Sequence, residues 1–384
     1  MQNPEGARGA QSLGLEQIKQ ADKTDGRSSG LTFVNVRDVR EAHIPAMRHQ
    51  TRRVVLLIAG MIVVGTPVAG MLAFRAMHYT FDPARVYFSY DDLDRFRQVY
   101  DRLPQTRDTV GLIARAYLDR GTRALHVYAA MYHVTPTAIA HDIESMPACY
   151  ASLQTLAERV RAEEPAVGRA LARFKALYPR AVFPPVYYLV GGGRAGGTGQ
   201  PVGMLIGADR YGRDGDAGSG GCPGGEGGYH RASELPHLVT HELVHFNQIA
   251  ASPLAQRFDT NLNRALTEGA ADFIAMLASG DHINAAAHAY GRRHEAELWR
   301  RFQPIADSQA TGDWFFVRPA NGEWPQDLGY FLGYRIVEAY YDRACDKNAA
   351  VRRIMGIADS HRFLTESAYS PGAPPAAVGG CTPR

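Results

Sequence analysis

Residues 235–277 read LPHLVTHELVHFNQIAASPLAQRFDTNLNRALTEGAADFIAML. Two segments here carry apolar residues at i, i+3, i+4 spacing, which predicts helices over roughly 235–250 and 262–279. Pro236 suits the first turn of the former, where its missing N–H removes no hydrogen bond. That helix contains His241-Glu242-Leu243-Val244-His245, an H-E-x-x-H pattern. One helical turn separates 241 from 245, so both imidazoles share a face and can reach one cation. Glu242 stands beside them, placed to take a proton from a water at that cation.

The second helix brings Leu266-Thr-Glu-Gly-Ala-Ala-Asp272, with Glu268 lying 23 residues beyond His245. A carboxylate there completes a two-His, one-Glu zinc set and leaves a fourth position open for water. The metal ligands read from the sequence are therefore His241, His245 and Glu268, holding one zinc ion per chain. Asp272, one turn after Glu268, can accept from the far ring nitrogen of a ligating His and so set its tautomer. Ala265, Leu266, Phe273, Ile274, Met276 and Leu277 make this a buried helix rather than a solvated face. His237 continues the spacing of four, but it lies about 12 Å from His245 along a straight helix. Metal–nitrogen bonds of about 2.1 Å do not span that, so His237 reads as a helix-entry or substrate-side residue. His230, His282, His288, His294 and His361 have no spacing argument and read as structural.

The chain has 384 residues, 45% hydrophobic and 21% charged, an ordinary globular balance that excludes wholesale disorder and collagen. Its 42 basic and 39 acidic residues give a net charge of +3, and no basic stripe interleaved with aromatics supports a nucleic-acid partner. The four cysteines at 149, 222, 345 and 381 form no C-x-x-C, which excludes a zinc ribbon and a thioredoxin motif. In an oxidising compartment they allow three pairings, among which the sequence does not choose.

Residues 54–74, VVLLIAGMIVVGTPVAGMLAF, carry no charge and are long enough to cross a bilayer. Arg48, Arg52 and Arg53 precede them and Arg75 follows, which orients the N-terminus toward the cytoplasm. The alternative is a signal peptide starting at Met47 and cleaved near Val68–Ala73. Either way the folded part lies outside the cytoplasm. The expected organisation is a polar tail over 1–53, the anchor over 54–74, a folded domain over 80–370 and a loose tail over 371–384. Within the domain, 80–180 is helical and 181–370 holds a small sheet and the metal-site helices.

Val186–Val190 and Val202–Ile206 are β-branched and aromatic, bounded by Pro and Gly, and read as strands. Around them 17 of the 39 glycines fall between 191 and 228. Gly193-Arg-Ala-Gly-Gly-Thr-Gly199 follows a strand, yet no helix and no Gly-Lys-Ser/Thr follow it, so neither nucleotide fingerprint is met. It reads as a flexible flap or loop beside the site. Further helices are expected over 284–303 and 328–345.

HELVHFNQ, LTEGAADFIA and Gly329-Tyr-Phe-Leu-Gly-Tyr-Arg-Ile-Val-Glu-Ala-Tyr-Tyr341 together resemble a bacterial gluzincin-type family of predicted zinc-dependent proteases, a domain of unknown function. The upstream RALARFKALYPRAVFPPVYYLVGGG and the late RIMGIADSHRFLTESAY extend the resemblance over roughly 90–370. It implies an α+β, mainly helical zincin-like fold whose small mixed sheet holds an extended peptide along its edge strand. It also implies His241, His245 and Glu268 as ligands, Glu242 as base and Asp272 behind the ligands. The insertion 212–228, with Cys222, is longer than that family's loop.

The expected activity is an anchored metallopeptidase at a bacterial inner membrane with its catalytic domain in the periplasm, cleaving peptide bonds with zinc-activated water and Glu242 as base. Tyr330 and Tyr334, one turn apart, are candidate oxyanion donors, with Tyr330 preferred; the alternative is that both are core aromatics. Arg335 stands either for a substrate carboxylate or for a salt bridge to Glu338. Two other readings remain open: a zinc hydrolase of a non-peptide amide such as a cell-wall fragment, and a catalytically idle zincin used as a binding module. Glu242 is present, which argues against the latter.

Overall fold

The computed structural model describes residues 78–211, 222, 230–252, 259–282, 284–317, 319 and 322–372. The tail 1–53, the apolar run 54–74, the insertion 212–228 apart from Cys222, and nearly all of 371–384 lie outside the described residues. Among the described residues no helix is long and apolar enough to cross a membrane.

The chain is mainly helical with one small mixed sheet, an α+β arrangement. The sheet is built from β1 (Phe88–Ser89), β2 (Val186–Leu189), β3 (Gly197–Gln200) and β4 (Gly203–Gly207), in the order β1-β2-β4-β3. β2 pairs parallel with β1 and β4, and β3 pairs antiparallel with β4 at the edge. β4 is buried throughout and β2 nearly so, as expected for apolar strands in mid-sheet. The two strands read from the sequence match β2 and β4 to within a residue or two.

β3 corrects the expectation of a flexible flap. Gly197–Gln200 is a hydrogen-bonded strand, and the loop before it is tied down. Buried Asp209 accepts the N–H groups of Gly191 and Gly193 at 3.1 and 2.6 Å. The Tyr128 hydroxyl donates to Ala195 O at 2.7 Å and accepts its N–H at 2.9 Å. The glycines serve close approach: a β-carbon on Gly199 would stand 3.4 Å from the Glu242 carbonyl of the helix beneath.

The main helices are α1 (Asp91–Tyr100), α2 (Arg123–Met131), α3 (Pro136–Ser145), α4 (Glu164–Leu177), α5 (Leu235–Ala251), α6 (Asn261–Ser279), α7 (Ala285–Phe302), α8 (Leu328–Arg343), α9 (Lys347–Met355) and α10 (Ser360–Ser367). α5 to α8 fall where the periodicity places them. α6 is capped at its start by Thr260, whose side chain accepts from Asn263 N, and at its end by Gly280 with φ 98°. Both are ordinary helix stops: a hydroxyl cap satisfies a free N–H, and glycine takes the left-handed turn without a β-carbon clash. Almost every residue of α6 is buried, because α4, α5 and α8 all pack on it.

α6 and α8 touch backbone to backbone. A β-carbon on Gly333 would overlap the carbonyl of Ala265, and one on Gly269 would overlap the Gly333 carbonyl carbon. α5 is fastened to the sheet side by Asn247, which donates to Val182 O at 3.0 Å and accepts Val182 N–H at 2.9 Å. A disulfide joins Cys149 to Cys222, one of the pairings that composition left open.

Candidate metal centre

α5 and α6 cross so that three donor atoms converge. His241 Nε2 and His245 Nε2 lie 2.9 Å apart, and Glu268 Oε2 lies 2.9 Å from His245 Nε2 and 3.4 Å from His241 Nε2. The imidazole planes stand at 84°, edge to face, and both Nε2 atoms lie near the same Glu268 oxygen. Bonds of about 2.1 Å from a tetrahedral cation require donors about 3.4 Å apart, close to the spacing found. The residues present therefore fit a small divalent cation. Gln248 Oε1 lies 3.0 Å from His245 Nδ1, placed to accept an N–H there when Nε2 faces a cation. Gln248, three residues after His245 on the same helix face, was not singled out from the sequence; its i, i+3 spacing is the signal that would have found it.

The electrostatics are those of a site built for positive charge. Burial pulls the His245 imidazole down, but the Glu268 carboxylate beside it outweighs this and lifts it to about 9. Burial raises Glu268, yet the two imidazoles more than reverse that and hold it far below the usual carboxylate range. Glu242 is raised, because burial outweighs the pull of His241 and His245. A carboxylate moved upward in this way is a better proton acceptor than an exposed one.

Glu242 also ties the centre to the sheet. Its carboxylate accepts the Gly199 N–H of β3, and a β-carbon on Gly197 would come within 2.8 Å of its Cγ. Edge strand and base are thus neighbours because two glycines let them be. Tyr132, which closes α2 and hydrogen-bonds Thr198 of β3, also senses the Glu242 charge. No motif marked it in the sequence.

The two tyrosines of α8 separate. Tyr330 stacks on His241, ring centroids 6.2 Å apart at 19°, and hydrogen-bonds Glu268. Burial drives its phenol well above the ordinary value, so it stays an O–H donor. Tyr334 is not at these donors: it packs on Phe273, His282 and His288 as a core aromatic, one turn deeper along α8.

Other expectations are adjusted or resolved. Asp272 hydrogen-bonds His288 Nε2 at 2.6 Å rather than a ligating His, because α7 brings His288 into the same buried space. His282 and His288, read as isolated structural residues, form with Asp272 a second group of metal-type donors. Arg335 is held in a buried ion pair, 2.9 Å from Glu295 and also bonded to Glu338, which leaves it no substrate role. His237 lies 3.5 Å from Asp281 and is not one of the converging donors.

Outside the centre, the segment before α8 presents apolar surface. Phe316 and Val317 are about half exposed, and the Phe316 ring meets Tyr330 edge-on at 6.3 Å. Phe316 is held at φ 64° by donating its N–H to Asp327 Oδ1 at 2.7 Å. Compared with known proteins, the chain matches no family model, no curated protein and no solved structure.

Proposed function

We propose that this chain is a zinc-dependent peptidase of zincin-like build that hydrolyses an extended peptide laid along β3, and that it works outside the cytoplasm. One observation carries the reading: two imidazoles and a carboxylate converge on one point, with a buried carboxylate of raised pKa beside them and the last strand of the described sheet touching that carboxylate. A scaffold or a purely structural cation site has no use for such a base.

His241, His245 and Glu268 would hold zinc, which when bound supplies a Lewis acid that acidifies water and polarises a carbonyl. Glu242 takes the proton of the attacking water and passes it to the leaving amine. Tyr330, kept protonated by burial, donates toward the oxygen on which charge develops. β3, the last strand of the sheet among the described residues, would align a peptide backbone by added-strand hydrogen bonds, with Gly199 N–H shared between the peptide and Glu242. Exposed Phe316 and Val317 offer apolar contact to a neighbouring substrate side chain. The Cys149–Cys222 disulfide supports an oxidising compartment, in line with the apolar run at 54–74.

The test is zinc content and hydrolysis of a quenched mixed-peptide library by wild type, Glu242→Gln and His245→Ala. Glu242→Gln is expected to keep its zinc and lose about 10²–10⁴-fold in kcat. His245→Ala should lose both zinc and hydrolysis. A zinc-loaded wild type that cleaves no peptide but hydrolyses non-peptide amides would replace the peptidase reading, and a wild type that takes up no metal would end it.

A further inference from the structure

Gln248 sits where α5 crosses α6, with both ends of its amide engaged. Its Oε1 lies 3.0 Å from His245 Nδ1, and its Nε2 donates to the Thr267 carbonyl at 3.3 Å. Thr267 is the residue before Glu268, whose Oε2 stands 2.9 Å from Nε2 of the same imidazole. The contacts close a circuit: His245 to Gln248, across to Thr267, along α6 to Glu268 and back to His245. Gln248 is 2% exposed, so bulk water does not compete for either end of the amide.

The circuit fixes direction as well as distance. A carbonyl oxygen only accepts, so the amide turns its NH2 to Thr267 and its oxygen to His245. An amide oxygen also only accepts, so the His245 nitrogen that bonds it has to carry a proton. Nδ1 is thereby committed to an N–H, and Nε2, on the Glu268 side, is the atom left to meet a cation. Gln248 steers one of the two imidazoles: His241 Nδ1, also buried, has no hydrogen-bond partner among the described residues. A neutral acceptor orients the ring without adding another negative charge to a site that already holds Glu242 and Glu268.

We infer that Gln248 is a positioning residue of the metal centre: braced on Thr267 of α6, its amide oxygen holds His245 Nδ1 so that Nε2 stands opposite Glu268, and loss of that hold weakens zinc binding. This rests on the proposed metal centre and deepens it. Partners one shell behind a metal ligand typically change affinity by about 10–100-fold when lost.

The experiment is a zinc titration of the full-length, metal-stripped protein against a chromophoric chelator, with melting of each metal-free variant as the check on folding. Wild type should bind one zinc per chain. Gln248→Met, similar in length but without the acceptor, should raise Kd about 10–100-fold. Gln248→Glu presents an oxygen to Nδ1 whichever way it turns, so its Kd should rise no more than about threefold, even if its Tm falls. A packing role would give the opposite order, since methionine fills the space and a buried charge does not suit it. NMR of the histidine ring nitrogens in zinc-loaded wild type needs no variant, and should show His245 bound through Nε2 and protonated at Nδ1. A folded Gln248→Met that binds zinc as wild type does overturns the inference. So does a folded Gln248→Glu as weak as the methionine variant, or zinc found on Nδ1. A wild type that binds no zinc overturns the metal centre itself, so the two failures are told apart.

Discussion

A methyl group on Gly197 would sit 2.8 Å from the Cγ of Glu242, closer than real carbon contacts come. Glu242 would have to move, and a catalytic base displaced by as little as about 1 Å can cost about 10²-fold in rate. Gly197→Ala is therefore expected to lower kcat at least about tenfold while zinc content stays at wild type. Gly199→Ala, where the nearest contacts are at 3.4 Å, should have a smaller effect. Measuring kcat and bound zinc in the two variants decides this; equal activity in all three proteins would show that the base does not depend on the strand beneath which it lies. The same residue shows a limit of reading glycine from sequence. A missing β-carbon serves either conformational freedom or close approach, and composition looks the same in both cases. At Gly197 the local neighbours hinted at freedom, whereas the packing of α5 under β3 shows close approach.

Among elements, the contact of α6 with α8 does most to assemble the centre. Gly269 and Gly333 let the two backbones meet, and this brings Tyr330 to Glu268 and Tyr334 to the His282–His288 pair. Gly333→Ala would force the helices apart, because its new carbon meets backbone that no rotamer can move. Overpacking of this kind costs about 3 kcal/mol. The expected result is a lower Tm with loss of hydrolysis beyond what the remaining folded fraction explains. A Tm equal to wild type would mean that the crossing is looser than its geometry implies. The existence and approximate limits of α5, α6, α7 and α8 were legible from 3.6-residue periodicity. The choice between Tyr330 and Tyr334 was not. Residues four apart share a face, and only the partner helix decides which of two turns meets the metal ligands.

For the molecule as a whole, buried imidazoles link stability to pH. Burial, with His288 close by, pushes His282 down to about 4 from an ordinary 6.5, against the pull of Asp272. Folding thus favours the neutral ring. The stability this contributes is fully present above about pH 6.5 and is lost as pH falls toward 4. With 19% of the side chain still exposed, solvent trims the effect to about 1–2 kcal/mol. The drop in Tm between pH 7 and pH 4.5 should accordingly be smaller in His282→Asn than in wild type. Identical drops would remove His282 from the linkage.

What the sequence determined by itself is the part written in local spacing. H-E-x-x-H on one helix and a carboxylate on a second define the donor set, because one helical turn puts i and i+4 on one face whatever the rest of the fold does. Periodicity likewise placed the helices, and β-branched runs placed the inner strands. Tertiary structure decided what depends on approach between distant segments: which tyrosine meets Glu268, that a glycine run is an edge strand against Glu242, that Arg335 also pairs with Glu295 of α7, and that His282 and His288 join Asp272. No spacing encodes these, because each is set by helices and strands packing across many intervening residues, and close packing admits only one arrangement of their side chains.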